Sequence, residues 1–246
     1  PELYSKRKDA LTESTDLYSV ARLFLYLMSG TKATTVWTEY EDYFEEESDL
    51  CKKLQIAPPV YTPLKQMLKC GISYNPEYRF HTAKEMRDVL QSLEKMQRQY
   101  EECSYYALFQ TAYQMGMRID DLRLEETQFV PRAYLKAVKS LEARLLSDNI
   151  AAHESYFIFV ALSIMAERNK EKIHSELYMD LLNCGLACCN HLSYTEEAIR
   201  IYDKMRVLKK DTPILQWVGI ANRIAVVYAD SFQNRKALEI IWNNIS

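Results

Sequence analysis

Glycine is nearly missing from this sequence, and that scarcity constrains the fold more than any other feature. Five glycines are spread over 246 residues, at Gly30, Gly71, Gly116, Gly185 and Gly219, each standing alone. Hairpin turns and strand-to-helix loops draw heavily on glycine for positive φ. An α/β or all-β chain of this length would carry more of it. Helices of similar length joined by short polar breaks need little. Apolar residues make up 48% of the chain and charged residues 26%, a globular rather than a disordered balance. The expected fold is all-α.

The hydrophobic spacing supplies the helices. Leu17 to Leu27 is apolar almost all round, the pattern of a helix buried on most sides. Ser14 or Thr15 would cap its start and Gly30 would stop it. Pro58-Pro59 punctuates, and Pro63 fits the first turn of a helix running to Lys69 and ended by Gly71. Thr82 with Glu85 three residues on forms a capping box, followed by Ala83, Met86, Val89, Leu90 and Leu93 at helical spacing. The polar stretch Glu94 to Glu102 holds no breaker, so it reads as a helical junction between two domains, 1–95 and 96–246. Beyond it the spacing predicts helices at 103–116, 131–147, 150–168, 172–191, 195–209, 214–229 and 234–245.

Charge and composition exclude several roles. The net charge is −3 and the longest basic run is Lys6-Arg7-Lys8, so nucleic acid is not an expected partner. The longest apolar run, Tyr156 to Ala166, is too short to span a bilayer, so no membrane role is expected. Six cysteines without a secretory signal read as reduced thiols in a cytoplasmic protein. Residues 39–49 hold seven acids and no base. They form a solvated face or, on the sharper reading, a docking surface for a basic partner. A chain that opens on Pro1 rather than Met leads to the expectation of an upstream portion.

Two segments resemble a known family. Pro1-Glu2, then Thr15-Asp16-Leu17-Tyr18-Ser19-Val20-Ala21 and Leu25-Tyr26-Leu27-Met28-Ser29-Gly30, resemble the end of a Ser/Thr protein kinase activation segment and the central helix of the C-lobe. Ala21 stands where that family has Gly. Tyr74-Asn75-Pro76-Glu77-Tyr78-Arg79-Phe80 with Thr82 resembles a later Asp-Pro-x-x-Arg-Pro segment of the same lobe, with Asn75 for Asp and Phe80 for Pro. The resemblance covers residues 1 to about 93. It implies that Glu2 pairs with Arg79, whose planar guanidinium suits a buried carboxylate. It also implies that Asp16 accepts hydrogen bonds from a catalytic loop. Without that loop, Asp16 is a first-turn acid answering the helix macrodipole.

The groups that transfer phosphate are not in this sequence. The glycines are isolated, so no Gly-rich loop exists. His81, His153, His174 and His191 precede Thr, Glu, Ser and Leu, and no Asp precedes a Phe. No His-Arg-Asp or Asp-Phe-Gly is therefore present. No catalytic, cofactor-binding or metal-ligating residue is assigned. ATP and magnesium would enter only with an upstream kinase portion.

The last helices resemble tetratricopeptide repeats. Ile224-Ala225, Tyr228, Ala237 and Ile241 fit the small–aromatic–Ala–bulky spacing, with Ala221 at the first large position. Gly185, Cys188, Ala198 and Tyr202 form a second match, one residue out of step. Small residues let paired helices approach, and bulky ones fill the gap between repeats. Ala198 and Ala237 are 39 apart, longer than the ~34 of that repeat. Cys184, Cys188, Cys189 and His191 lie on one helix with no second ligand pair, which suits tight packing better than zinc. Trp217 and Trp242 read as packing residues first and peptide-binding residues second. The expectation is a non-catalytic fragment of a Ser/Thr protein kinase whose array binds a protein or peptide. The alternative is a standalone scaffold or regulator in which a kinase remnant caps the array.

Overall fold

The computed structural model describes residues 12–29, 53–147, 151–209 and 212–245. Ten α-helices and three short 3₁₀ turns occur among the described residues, and no strand does. The chain divides into two compact units, Pro1–Glu102 with Met115–Thr127, and Cys103–Gln114 with Gln128–Ser246. Glu2, Gly30, Cys51 and the acidic stretch 39–49 lie outside the described residues.

The first unit is built on α1 (Glu13–Ser29), α2 (Pro58–Gly71) and α3 (Ala83–Glu101), with α2 packed against both neighbours. Helix α1 starts earlier than the Ser14 or Thr15 cap predicts. Both residues lie buried inside its first turn, where Thr15 Oγ1 accepts from the Thr12 amide at 3.4 Å. Nor is α1 buried on most sides. Leu17, Tyr18, Ala21 and Leu25 face the core, while Val20, Leu23, Tyr26 and Leu27 are exposed. Its composition is apolar all round, but the neighbouring helix covers only one flank.

Helix α2 also begins a turn earlier than expected. Pro58 and Pro59 occupy its first two positions, where a missing N–H is harmless. Pro63 therefore falls inside the helix, leaving the Pro59 carbonyl without its helical donor. The segment leading into α2 is held by Gln97 of α3. Its Oε1 accepts from the Ala57 amide at 2.8 Å, and its Nε2 donates to the Gln55 carbonyl at 3.0 Å. Thr82 and Glu85 close the expected capping box at the start of α3, whose polar second half continues unbroken to Glu101 around a fully buried Met96.

The second unit holds α4 (Tyr105–Gln114), α5 (Pro131–Leu145), α6 (Ala152–Arg168), α7 (Ser175–Leu192), α8 (Thr195–Val207), α9 (Ile214–Asp230) and α10 (Asn234–Ile245). These helices fall within three residues of the expected bounds. Lys170–Lys172 forms a 3₁₀ turn ahead of α7 rather than its first residues. Helices α5/α6, α7/α8 and α9/α10 pack as successive hairpins, and the first helices touch in order, α5 on α7 and α7 on α9. They begin at Pro131, Ser175 and Ile214, 44 and 39 residues apart. Helix α4 packs on both members of the first hairpin. The apolar run Tyr156 to Ala166 is core: Ile158, Phe159, Leu162 and Met165 of α6 are buried.

Candidate functional site

In the first unit the segment 74–79 meets α1. Asn75 caps the 3₁₀ turn Pro76–Tyr78, accepting from the Glu77 amide at 3.1 Å, and Arg79 leaves that turn in an extended conformation. Arg79 is 3% exposed. Its Nε donates to the Ser73 carbonyl at 2.6 Å and its Nη2 to the Tyr74 carbonyl at 2.9 Å. The guanidinium lies over the Tyr18 ring of α1, 4.6 Å from the centroid. A planar cation can satisfy two diverging carbonyls and an aromatic face together, which an ammonium cannot.

Close by in the same unit, α1 and α2 cross at Ala21 and Gly71. A Cβ on Gly71 would lie 2.5 Å from the Ala21 Cβ, so both positions must be small. Asp16 is an exposed first-turn acid of α1, in a place suited to the macrodipole. The Glu13 carboxylate accepts from the Ala83 amide at 2.5 Å, tying the start of α1 to the start of α3.

In the second unit the small residues of the repeat-like pattern are buried. Ala198, Ala225 and Ala237 are 0%, 4% and 7% exposed. Tyr202 is buried and stacks on Trp217, with ring centroids 5.8 Å apart. Tyr228 and Ile241 are half-buried, Tyr228 beneath the Lys236 ammonium at 5.6 Å. Trp242 departs from its expected packing role: α10 presents it outward with Leu238, and both are largely exposed.

The cysteine cluster is core. A Cβ on Gly185 would come within 2.2 Å of Phe159 Cζ, so α6 and α7 touch there with nothing between them. Burial pushes the Cys184 thiol up to about 12, Cys189 to about 12, and Cys188 up as well. None of the three is a thiolate at neutral pH, which is the form that attacks or ligates. Among the described residues no group of three or more His, Cys, Asp or Glu could hold a metal, and no helix is long and apolar enough to cross a membrane.

One polar knot ties three helices of the array together. Glu167 of α6 accepts from Tyr178 Oη of α7 at 2.8 Å and from Lys204 Nζ of α8 at 3.1 Å, and pairs with Lys170 at 2.6 Å. The Lys170, Tyr178 and Lys204 bonds hold its carboxyl down to about 2.

Among the described residues, two concavities of several hundred cubic ångströms open on this unit. The first, ≈ 500 Å³, lies among α8, α9 and α10 and is mostly polar; Tyr202, Arg206, Trp217 and Lys236 are among its walls. The second, ≈ 480 Å³, lies between α5 and α7, two of the first helices, and is mostly apolar. Phe129, Tyr134, Leu135, Ile173 and Leu177 form its surface. Phe129 packs against Tyr134 with centroids 5.3 Å apart, and Tyr134 Oη donates to the Leu162 carbonyl at 3.2 Å. Lys139 bridges Asp180 at 2.9 Å and Glu142 at 3.0 Å, fixing α5 against α7. Both volumes fall in the range of binding clefts. The composition of this groove, apolar with a few charged residues, was invisible in the sequence, because its halves lie some forty residues apart and only the α5–α7 contact joins them.

No family model, curated protein or solved structure matches the chain.

Proposed function

We propose that this chain is a non-catalytic part of a Ser/Thr protein kinase, carrying closing helices of the C-lobe and a tetratricopeptide-like array that binds a protein or peptide. The observation that carries the binding half is the succession of first helices, α5 on α7 on α9, with an open, mostly apolar groove between the first two. Stacked hairpins are stable through neighbour contacts, and their shared face is what such arrays offer to partners. The kinase half is supported by Arg79 seated on Tyr18 and by Ala21 fitted to Gly71, which unite segments some fifty to sixty residues apart. No step of phosphoryl transfer is assigned to any residue.

Photo-crosslinking tests the reading. Benzoylphenylalanine replaces Leu135 or Leu177 in the groove, or Arg200 on the exposed side of α8, where its side chain is 71% exposed. The full chain is then irradiated in its own cells. Discrete adducts at 135 and 177 and none at 200 are expected. Adducts at 200 alone, or at none of the three, overturn the binding reading.

A further inference from the structure

The groove between α5 and α7 has an asymmetry of charge that its apolar surface does not explain. Arg132, in the first turn of α5, and Lys172, in the 3₁₀ turn before α7, both line it and are both exposed. Among the described residues neither has a carboxylate within salt-bridge distance. The Lys172 ammonium instead stands over the Phe129 ring at 5.9 Å. Lys139, the third cation of the groove, is already matched by Asp180 and Glu142. The groove's remaining acid, Glu176, is exposed and lies beyond reach of both free cations. Two unmatched cations thus flank an apolar surface that includes Leu135, 44% exposed, with Ile173 and Leu177 half-buried.

Resting on the reading of the array as a partner-binding module, we propose that this groove takes a short acidic peptide segment, one apolar side chain seated among Leu135, Ile173 and Leu177 and neighbouring carboxylates meeting Arg132 and Lys172. An apolar ligand alone would leave both cations unanswered, and a basic one would meet like charge. A volume of ≈ 480 Å³ admits one or two large side chains but not a folded domain, so the occupant is a linear segment. The cations set orientation and encounter rate, and the apolar contact supplies most of the affinity.

A random-peptide phage library panned against the full chain is the probe. Enriched peptides are synthesised with a fluorophore and titrated by anisotropy. The expected consensus pairs one aromatic or aliphatic residue with adjacent Asp or Glu. Arg132→Glu with Lys172→Glu should weaken these peptides by about tenfold or more, and added salt should weaken them as well. Lys172→Gln repeats the test without charge reversal beside Phe129, and circular dichroism confirms that each variant is folded. Basic or uncharged consensus peptides, or acidic ones that bind the double variant unchanged, overturn the proposal. Peptides that crosslink to α9 or α10 instead sink this groove while leaving the interaction module standing. Failure of any peptide to enrich, with no adducts at 135 or 177 in the crosslinking experiment, sinks both.

Discussion

The same substitution at two helical glycines should move stability in opposite directions. Gly219 lies in α9 with nothing within 4 Å of an added Cβ. Gly219→Ala therefore gains only helix propensity, about 1 kcal/mol. Gly185 lies in α7, where the same methyl would meet Phe159 Cζ at 2.2 Å, Cε2 at 2.3 Å and Cδ2 at 2.8 Å. Phe159 is 4% exposed and is braced by Tyr156, with centroids 6.0 Å apart, so its ring has little room to swing. Overpacking of this severity belongs at the upper end of the usual range, about 3 kcal/mol. Subtracting the propensity gain leaves Gly185→Ala less stable by about 2 kcal/mol. Phe159→Leu in the Gly185→Ala background should recover about 1 kcal/mol of coupling. Urea denaturation followed by circular dichroism reads all of these as midpoint shifts at constant slope. Equal midpoints for Gly185→Ala and Gly219→Ala would refute the close crossing of α6 and α7, and with it the stacking of the first two hairpins.

Three further outcomes follow from the geometry. Ala237→Leu should overpack α10 against α9 and lower stability by about 1–3 kcal/mol, since Ala237 is 7% exposed; an unchanged urea midpoint would place it on a solvated face. Arg79→Lys should lose the paired bonds to Ser73 and Tyr74 and destabilise the first unit by about 2 kcal/mol, read in the same melt. The Glu167 carboxyl is held down to about 2 from 4.5, so its contribution is fully present above about pH 5 and fades as pH falls toward 2. Its side chain is 37% exposed, so solvent screening leaves about 1 kcal/mol, and Glu167→Gln should show a correspondingly flatter loss of stability with acid.

Helices and breaks were legible in the sequence because their determinants are local. Pro131 and Asn234 each open a helix where the spacing places one, and Thr82 with Glu85 forms its capping box. Pro63 misled because proline fits a first turn and also survives inside a helix, and only the start at Pro58 decides between them. Exposure was less legible. Leu23 and Leu27 of α1 are as apolar as Leu17 and Leu25 yet are exposed, and so is Trp242 on α10. The small residues of α7 pointed to a tight crossing, yet nothing local named Phe159 as the partner. The α5–α7 groove combines residues around 129–139 with residues around 172–180, and its charge imbalance exists only once Lys139 has found Asp180.

Hydrogen exchange tests most directly whether the first helices of the array form the partner-binding face. Amide exchange of the full chain is compared by mass spectrometry before and after binding the protein captured at positions 135 and 177. If they do, exchange slows in α5 and α7, from the segment around Phe129 to Lys139 and from Lys172 to Asp180, with α1, α2 and α3 unchanged. Slowing confined to α1, α2 and α3, with α5 and α7 exchanging as in the free chain, would contradict that reading.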